Sequence, residues 1–143
     1  LRDSNIVINI DVYGRIVNKK IVRKLKKYKE VTLHGFVPFS EIDLSQYAFL
    51  LSTSTKENLP ISIVEILKSK LPVLAFAVGG IPEVIDDTSG RLLDAKNMQK
   101  NAEIIRQIIE QRIKFTFDNA IFSEFDWNLS SEKYLNIFKT LMS

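Results

Sequence analysis

A chain of 143 residues is one domain's worth of protein, and its 45% hydrophobic, 26% charged composition supports one sizeable core and excludes wholesale disorder. It has no cysteine, which removes disulfides, thiolate metal sites and cysteine nucleophiles, and its lone histidine, His34, rules out a multi-histidine metal cluster. The net charge is only +3, yet Arg15, Lys19, Lys20, Arg23, Lys24, Lys26, Lys27 and Lys29 follow one another with no acid among them.

In chain order, Ile6 to Tyr13 reads as a buried strand ending at Gly14, rich in Ile and Val. A basic helix is predicted over roughly Val17 to Tyr28. Ile16, Ile21, Val22, Leu25 and Tyr28 take its inner side, which leaves the lysines outward as a solvated face. Such a face also suits anionic lipid, so peripheral membrane contact stays open. Nucleic acid is disfavoured, because no aromatic residues interleave with the lysines. Val31 to His34 is a second short strand, closed by Gly35 and Pro38. Ile42 to Tyr47 forms one or two helical turns, and Ala48 to Ser52 is the next strand.

A polar loop, Thr53 to Asn58, precedes a helix from about Ile61 to Ser69. Val73 to Phe76 is a strand broken by Gly79-Gly80, and Ile81 to Ile85 is a short helix with Pro82 in its first turn. Arg91 to Leu93 is a last short strand. The tail keeps helical spacing at Ala102, Ile105, Ile108, Ile109 and Ile113, and again at Tyr134, Ile137, Phe138 and Leu141. Short apolar strands alternating with helices predict an α/β fold: a Rossmann-like, doubly wound, mainly parallel sheet flanked by helices. Ligands of such sheets bind at the carboxyl ends of the strands.

The segment from Ser52 to Glu65 is the most informative. A strand stops, the loop carries Glu57, and a helix begins with Glu65 just inside it. The first N–H groups of a helix lack internal partners and sit at the positive end of its dipole, which suits a phosphate or diphosphate. Carboxylates on either side would accept hydroxyl hydrogen bonds, as a nucleotide sugar requires. The same acids would also be placed there by helix capping and dipole effects alone, worth ~0.3–1 kcal/mol each. Gly79-Gly80 either permits a tight turn with positive φ or admits close backbone approach to a ligand or another domain. His34 is expected as a strand residue with a satisfied ring, Asp86-Asp87 as a surface turn rather than a metal pair, and Phe125 and Trp127 as core anchors of the last helix.

Glu57-x7-Glu65, then Lys70 to Ile85 with Gly79-Gly80-x-Pro82-Glu83, then Ser89-Gly90 and Phe125-x-Trp127, together resemble the donor-binding half of retaining glycosyltransferases of the GT-B fold, glycosyl transferases group 1. Gly35 after the second strand and Tyr47 before the third keep the same order, so the resemblance runs from about Ile6 to Leu141. It implies that Glu57, the catalytic candidate, binds donor-sugar hydroxyls and that Glu65 binds the ribose. Backbone amides around Leu59, Pro60 and Ile61 would approach the diphosphate, with Asn58 in the same donor loop. The family often has glycine where Pro60 stands; proline donates no N–H, so amide contacts fall to Leu59, Ile61 or Ser62. The loop from Phe36 through Val37 to Pro38 corresponds to the part that holds the base.

The family commonly grips the diphosphate with an arginine and a lysine after the domain's first strand, and Arg15 and Lys20 have a similar spacing. Only ten residues separate Lys20 from Val31, however, where the family has a further strand and helix. The interval from Gly14 to Gly35 therefore suits the second strand, its helix and the third strand, which makes Arg15 and Lys20 ordinary residues of a basic segment. In that register the domain, residues 1–143, is expected to be truncated at its N-terminus, with its first strand and the acceptor domain absent, or Ile6 to Tyr13 must move to the centre of the sheet.

The resemblance implies a hexosyltransferase that uses a nucleotide-activated sugar, expected as a UDP-sugar, with no metal and no further cofactor. Transfer would go with retention to a saccharide or lipid-linked acceptor, in polysaccharide or glycolipid assembly at the cytoplasmic side of a membrane. Isolated turnover by these 143 residues is expected to be absent or slight. A sugar-nucleotide epimerase, or an inactive nucleotide-sugar-binding or membrane-docking module of the same fold, is the alternative. A dinucleotide oxidoreductase is disfavoured, since no Gly-x-Gly-x-x-Gly follows any strand.

Overall fold

The computed structural model describes residues 6–15, 17–117 and 125–142, and of Trp127 the backbone only. The predicted inward place of Ile16 and the anchoring role of the Trp127 side chain lie outside the described residues. The chain divides into two compact units, Leu1–Gln46 and Tyr47–Ser143.

In the first unit, β1 (Ile10–Tyr13) pairs in parallel with β2 (Val31–Gly35). β1 is shorter than the predicted Ile6 to Tyr13. The helix α1 (Lys19–Leu25) joins the two strands and is also shorter than its apolar spacing suggested. Its start is set by Asn18, whose side chain accepts from the amides of Lys20 and Ile21. After β2 come two 3-10 turns: Leu44–Gln46 lies within the predicted Ile42 to Tyr47, and Phe39–Glu41 precedes that range. The Asp43 carboxylate starts the second by accepting from the backbone amide and hydroxyl of Ser45 and from the side-chain Nε2 of Gln46.

In the second unit, β3 (Leu50–Ser52), β4 (Val73–Phe76) and β5 (Gly90–Leu93) form a parallel sheet in that order, with β4 central. All four residues of β4 are buried, which explains why this strand reads as an unbroken apolar run. The helix α2 (Ile61–Lys68) connects β3 to β4 and packs against β4, burying Ile63, Ile66 and Leu67 at helical spacing. The short helix α3 (Ile81–Val84) connects β4 to β5. The helix α4 (Met98–Ile109) starts at Asn97, whose side chain accepts from the Lys100 amide. It helps cover Leu74, Phe76 and Leu93 with Ile104, Ile105 and Ile108. The helix α5 (Trp127–Leu141) closes the chain, capped by the Asp126 carboxylate on the amides of Asn128 and Leu129. Parallel strands flanked by helices are the expected Rossmann-like α/β class, present as a two-stranded and a three-stranded sheet. Among the described residues no helix is long and apolar enough to cross a membrane.

Candidate functional site

The junction of β3 and α2 carries the two glutamates. β3 stops at Ser52, the loop bears Glu57 and Asn58, and α2 opens at Ile61. Pro60 is the N-cap residue, with φ −69°, which its ring imposes, and an extended ψ of 123°. It has no side-chain acceptor, so no side chain caps the helix. The amides at the start of α2, on the exposed residues Ile61 and Ser62, therefore lie without a side-chain cap at the positive end of the helix dipole. Glu57 and Leu59 are half-buried before this end, and Asn58 is exposed. Glu65 is half-buried one turn inside it. The junction thus offers uncapped amides between a carboxylate that precedes them and one that follows.

The turn after β4 braces this loop. Gly79 has φ +55°, and a side chain there would overlap the carbonyls of Glu57 and Asn58. A Cβ on Gly80 would stand 3.1 Å from the Asn58 carbonyl oxygen, and the Gly80 amide donates to that oxygen at 2.5 Å. Both readings of the glycine pair therefore apply, a positive-φ turn and a close backbone approach. The partner approached is the chain's own glutamate-bearing loop.

Further along, Asp86 organises the turn into β5. Its Oδ1 accepts from the amide and hydroxyl of Thr88 and from the amide and hydroxyl of Ser89, all within 2.9 Å. Burial pushes the Asp86 carboxyl up, but the hydrogen bonds from Ser89 and Thr88 outweigh it and hold the carboxyl below its usual range. Asp87 instead ion-pairs with Arg91 at 3.1 Å, with its own side chain 93% exposed. The pair forms a turn, and among the described residues no group of three metal-ligating side chains occurs. Gly90 is dictated by packing, since a Cβ there would collide with the Val73 carbonyl. The turn is the one expected at Asp86-Asp87, and Thr88 and Ser89 supply the donors that fix it.

The first unit holds the remaining candidates. Arg15 stands over the Phe36 ring, 5.9 Å from its centroid, so these two positions come together at the ends of β1 and β2. Phe36 is exposed and Val37 half-buried, while Lys20 sits exposed in the first turn of α1. The parallel register slips between Val12 and Tyr13, which leaves His34 outside the one-to-one pairing. Its Nε2 lies 2.7 Å from an Asp11 carboxylate oxygen, and its ring stacks on Tyr13 at 4.6 Å. Sequence spacing offers no sign of this pair, because Asp11 and His34 meet only through strand pairing.

The sequence is similar to known proteins. The family model of glycosyl transferases group 1 covers residues 2–119. A poly(ribitol-phosphate) alpha-N-acetylglucosaminyltransferase of Staphylococcus aureus (strain COL) is 24% identical over 148 aligned residues. The match takes in 97% of this chain, which spans about 30% of that relative's length. With the parallel α/β architecture and the β3–α2 junction in place, the chain belongs to the glycosyl transferases group 1 family.

Proposed function

We propose that the chain is the donor-binding half of a GT-B glycosyltransferase that moves a sugar, with retention, from a nucleotide-activated donor to a saccharide or lipid-linked acceptor. The observation that carries this reading is the β3–α2 junction, where uncapped amides at a helix start lie between Glu57 and Glu65 in sequence. The helix start receives the diphosphate through the amides of Ile61 and Ser62, and Leu59 supplies a further amide before Pro60. Glu57 positions the sugar and Glu65 the ribose, each as a hydrogen-bond acceptor for hydroxyls. Phe36 and Val37 belong to the base-binding loop, and Arg15 and Lys20 are ordinary residues of the basic segment unless β1 is the domain's first strand. Charge building on the departing diphosphate is what the site must stabilise. The acceptor attacks from the face the diphosphate leaves.

The donor is a UDP-sugar in this reading, and the setting is cytoplasmic polysaccharide or glycolipid assembly. The Staphylococcus relative is named for placing N-acetylglucosamine on poly(ribitol-phosphate), which fits a polymeric acceptor here. Titration calorimetry of the full-length protein with UDP and other nucleoside diphosphates tests the site. Binding that Glu65→Ala weakens supports it, and the absence of heat with every nucleoside diphosphate overturns it. Product analysis with a labelled donor then separates transfer from epimerisation.

A further inference from the structure

We propose that α1 and its flanks, Val17 to Tyr28, dock the protein on a bilayer surface rich in anionic phospholipid. Val22 and Leu25 are the half-buried side of the helix, and Lys20, Arg23 and Lys24 take the opposite, exposed side. Lys19, Lys26, Lys27 and Lys29 flank them along the chain, and all are exposed. Among the described residues, none of these cations takes part in an ion pair; the pairs that form involve His34, Arg91, Arg106 and Arg112.

Helix stability explains only part of the cluster. Arg23 and Lys24 stand in the last turn, where the dipole favours cations, but Lys19 and Lys20 stand in the first turn, at its positive end, with no acid there to offset them. An anionic surface outside the fold would relieve that unfavourable placement.

The apolar side chains decide which anionic surface. Val17 is 87% exposed, Ile21 53% and Tyr28 48%, all set among the cations. A phosphate backbone in water gains nothing from Val17 and Ile21, whereas a headgroup–acyl boundary takes up apolar side chains while its anions meet the lysines. Tyr28 is the single aromatic residue of the segment, too few for the successive stacking platforms of single-stranded nucleic acid.

Vesicle flotation of the full chain tests this. The protein is expected to float with vesicles of phosphatidylcholine and phosphatidylglycerol and not with phosphatidylcholine alone, and to be released as added salt shortens the Debye length. Each cation near the surface contributes a factor of about five, so Lys20→Glu/Arg23→Glu/Lys24→Glu should lower partition by about a hundredfold or more. Ile21→Ser should lower it severalfold without altering the far-ultraviolet circular dichroism. Equal recovery on neutral vesicles, no recovery on anionic ones, or insensitivity to salt overturns the proposal. So does tighter retention by polyphosphate or a single-stranded oligonucleotide than by the anionic vesicles.

Discussion

The amide of Gly80 donates to the carbonyl of Asn58 at 2.5 Å, and this bond ties the turn after β4 to the loop that carries Glu57. β4 is the most buried strand of its sheet, so the turn that follows it is anchored in the core. The loop before α2 has no side-chain cap to hold its end. Its position is set largely from across the sheet, by two glycines that let backbone meet backbone.

Gly79→Ala should therefore disturb the site as well as the fold. A methyl group at φ +55° is strained, and here it would also overlap the Glu57 carbonyl. A loss of roughly 2–4 kcal/mol in urea unfolding is expected, together with weaker nucleotide binding. Gly80→Ala, with an ordinary φ of −81° and a 3.1 Å contact, should cost less. Equal midpoints for Gly79→Ala and the unmodified protein would remove the glycine turn as the brace.

Glu65→Ala should weaken nucleoside diphosphate binding by ~1.5–3 kcal/mol, the scale of hydrogen bonds to a charged group. The residue is half-buried on α2, and its removal opens no core cavity, so the melting temperature should move little. Calorimetric affinity and thermal denaturation, measured on the same preparation, distinguish the two effects. Unchanged affinity takes Glu65 out of the ribose role.

Asp86 makes the fold sensitive to acid. Its carboxyl is held below the unfolded value of 3.8, so its contribution is complete well above that value. It is lost as pH falls through 3.8 toward the lower, folded value. Asp86→Asn removes the charge that Ser89 and Thr88 hydrogen-bond, and should cost about 1–3 kcal/mol at neutral pH. Urea midpoints between pH 6 and about 3 should fall less steeply for this variant than for the unmodified protein. Parallel curves would show that Asp86 carries no linked proton.

Asn101 is a buried polar side chain with a structural task. It is 5% exposed, accepts from the Asp94 amide at 2.9 Å and donates to the Asp94 carbonyl at 2.7 Å. It thereby fastens α4 to the end of β5. Asn101→Leu removes the partner of both Asp94 backbone groups and buries no polar replacement, and a loss of about 1–3 kcal/mol is expected in chemical denaturation. Nucleotide affinity should be unaffected.

What the sequence determined by itself is local in origin. β4 was legible as Val73 to Phe76 because a fully buried strand leaves a continuous apolar run. The start of α2 near Ile61 was legible where the polar loop Thr53 to Asn58 ends, and α3 from Pro82 beside a glycine pair. The family was legible because the two glutamates, the glycine pair and Ser89-Gly90 recur in a set order. Ends of other elements were blurred, since apolar spacing says where a helix is buried and not where a cap stops it; Asn18 and the single turn after Leu25 shortened α1 accordingly. Only the tertiary structure decided what lies far apart in sequence. It placed Gly79 and Gly80 against the Glu57–Asn58 backbone, His34 beside Asp11, and Arg15 over Phe36. Those contacts arise from strand order and loop approach, and no spacing along a chain encodes a distance across a sheet.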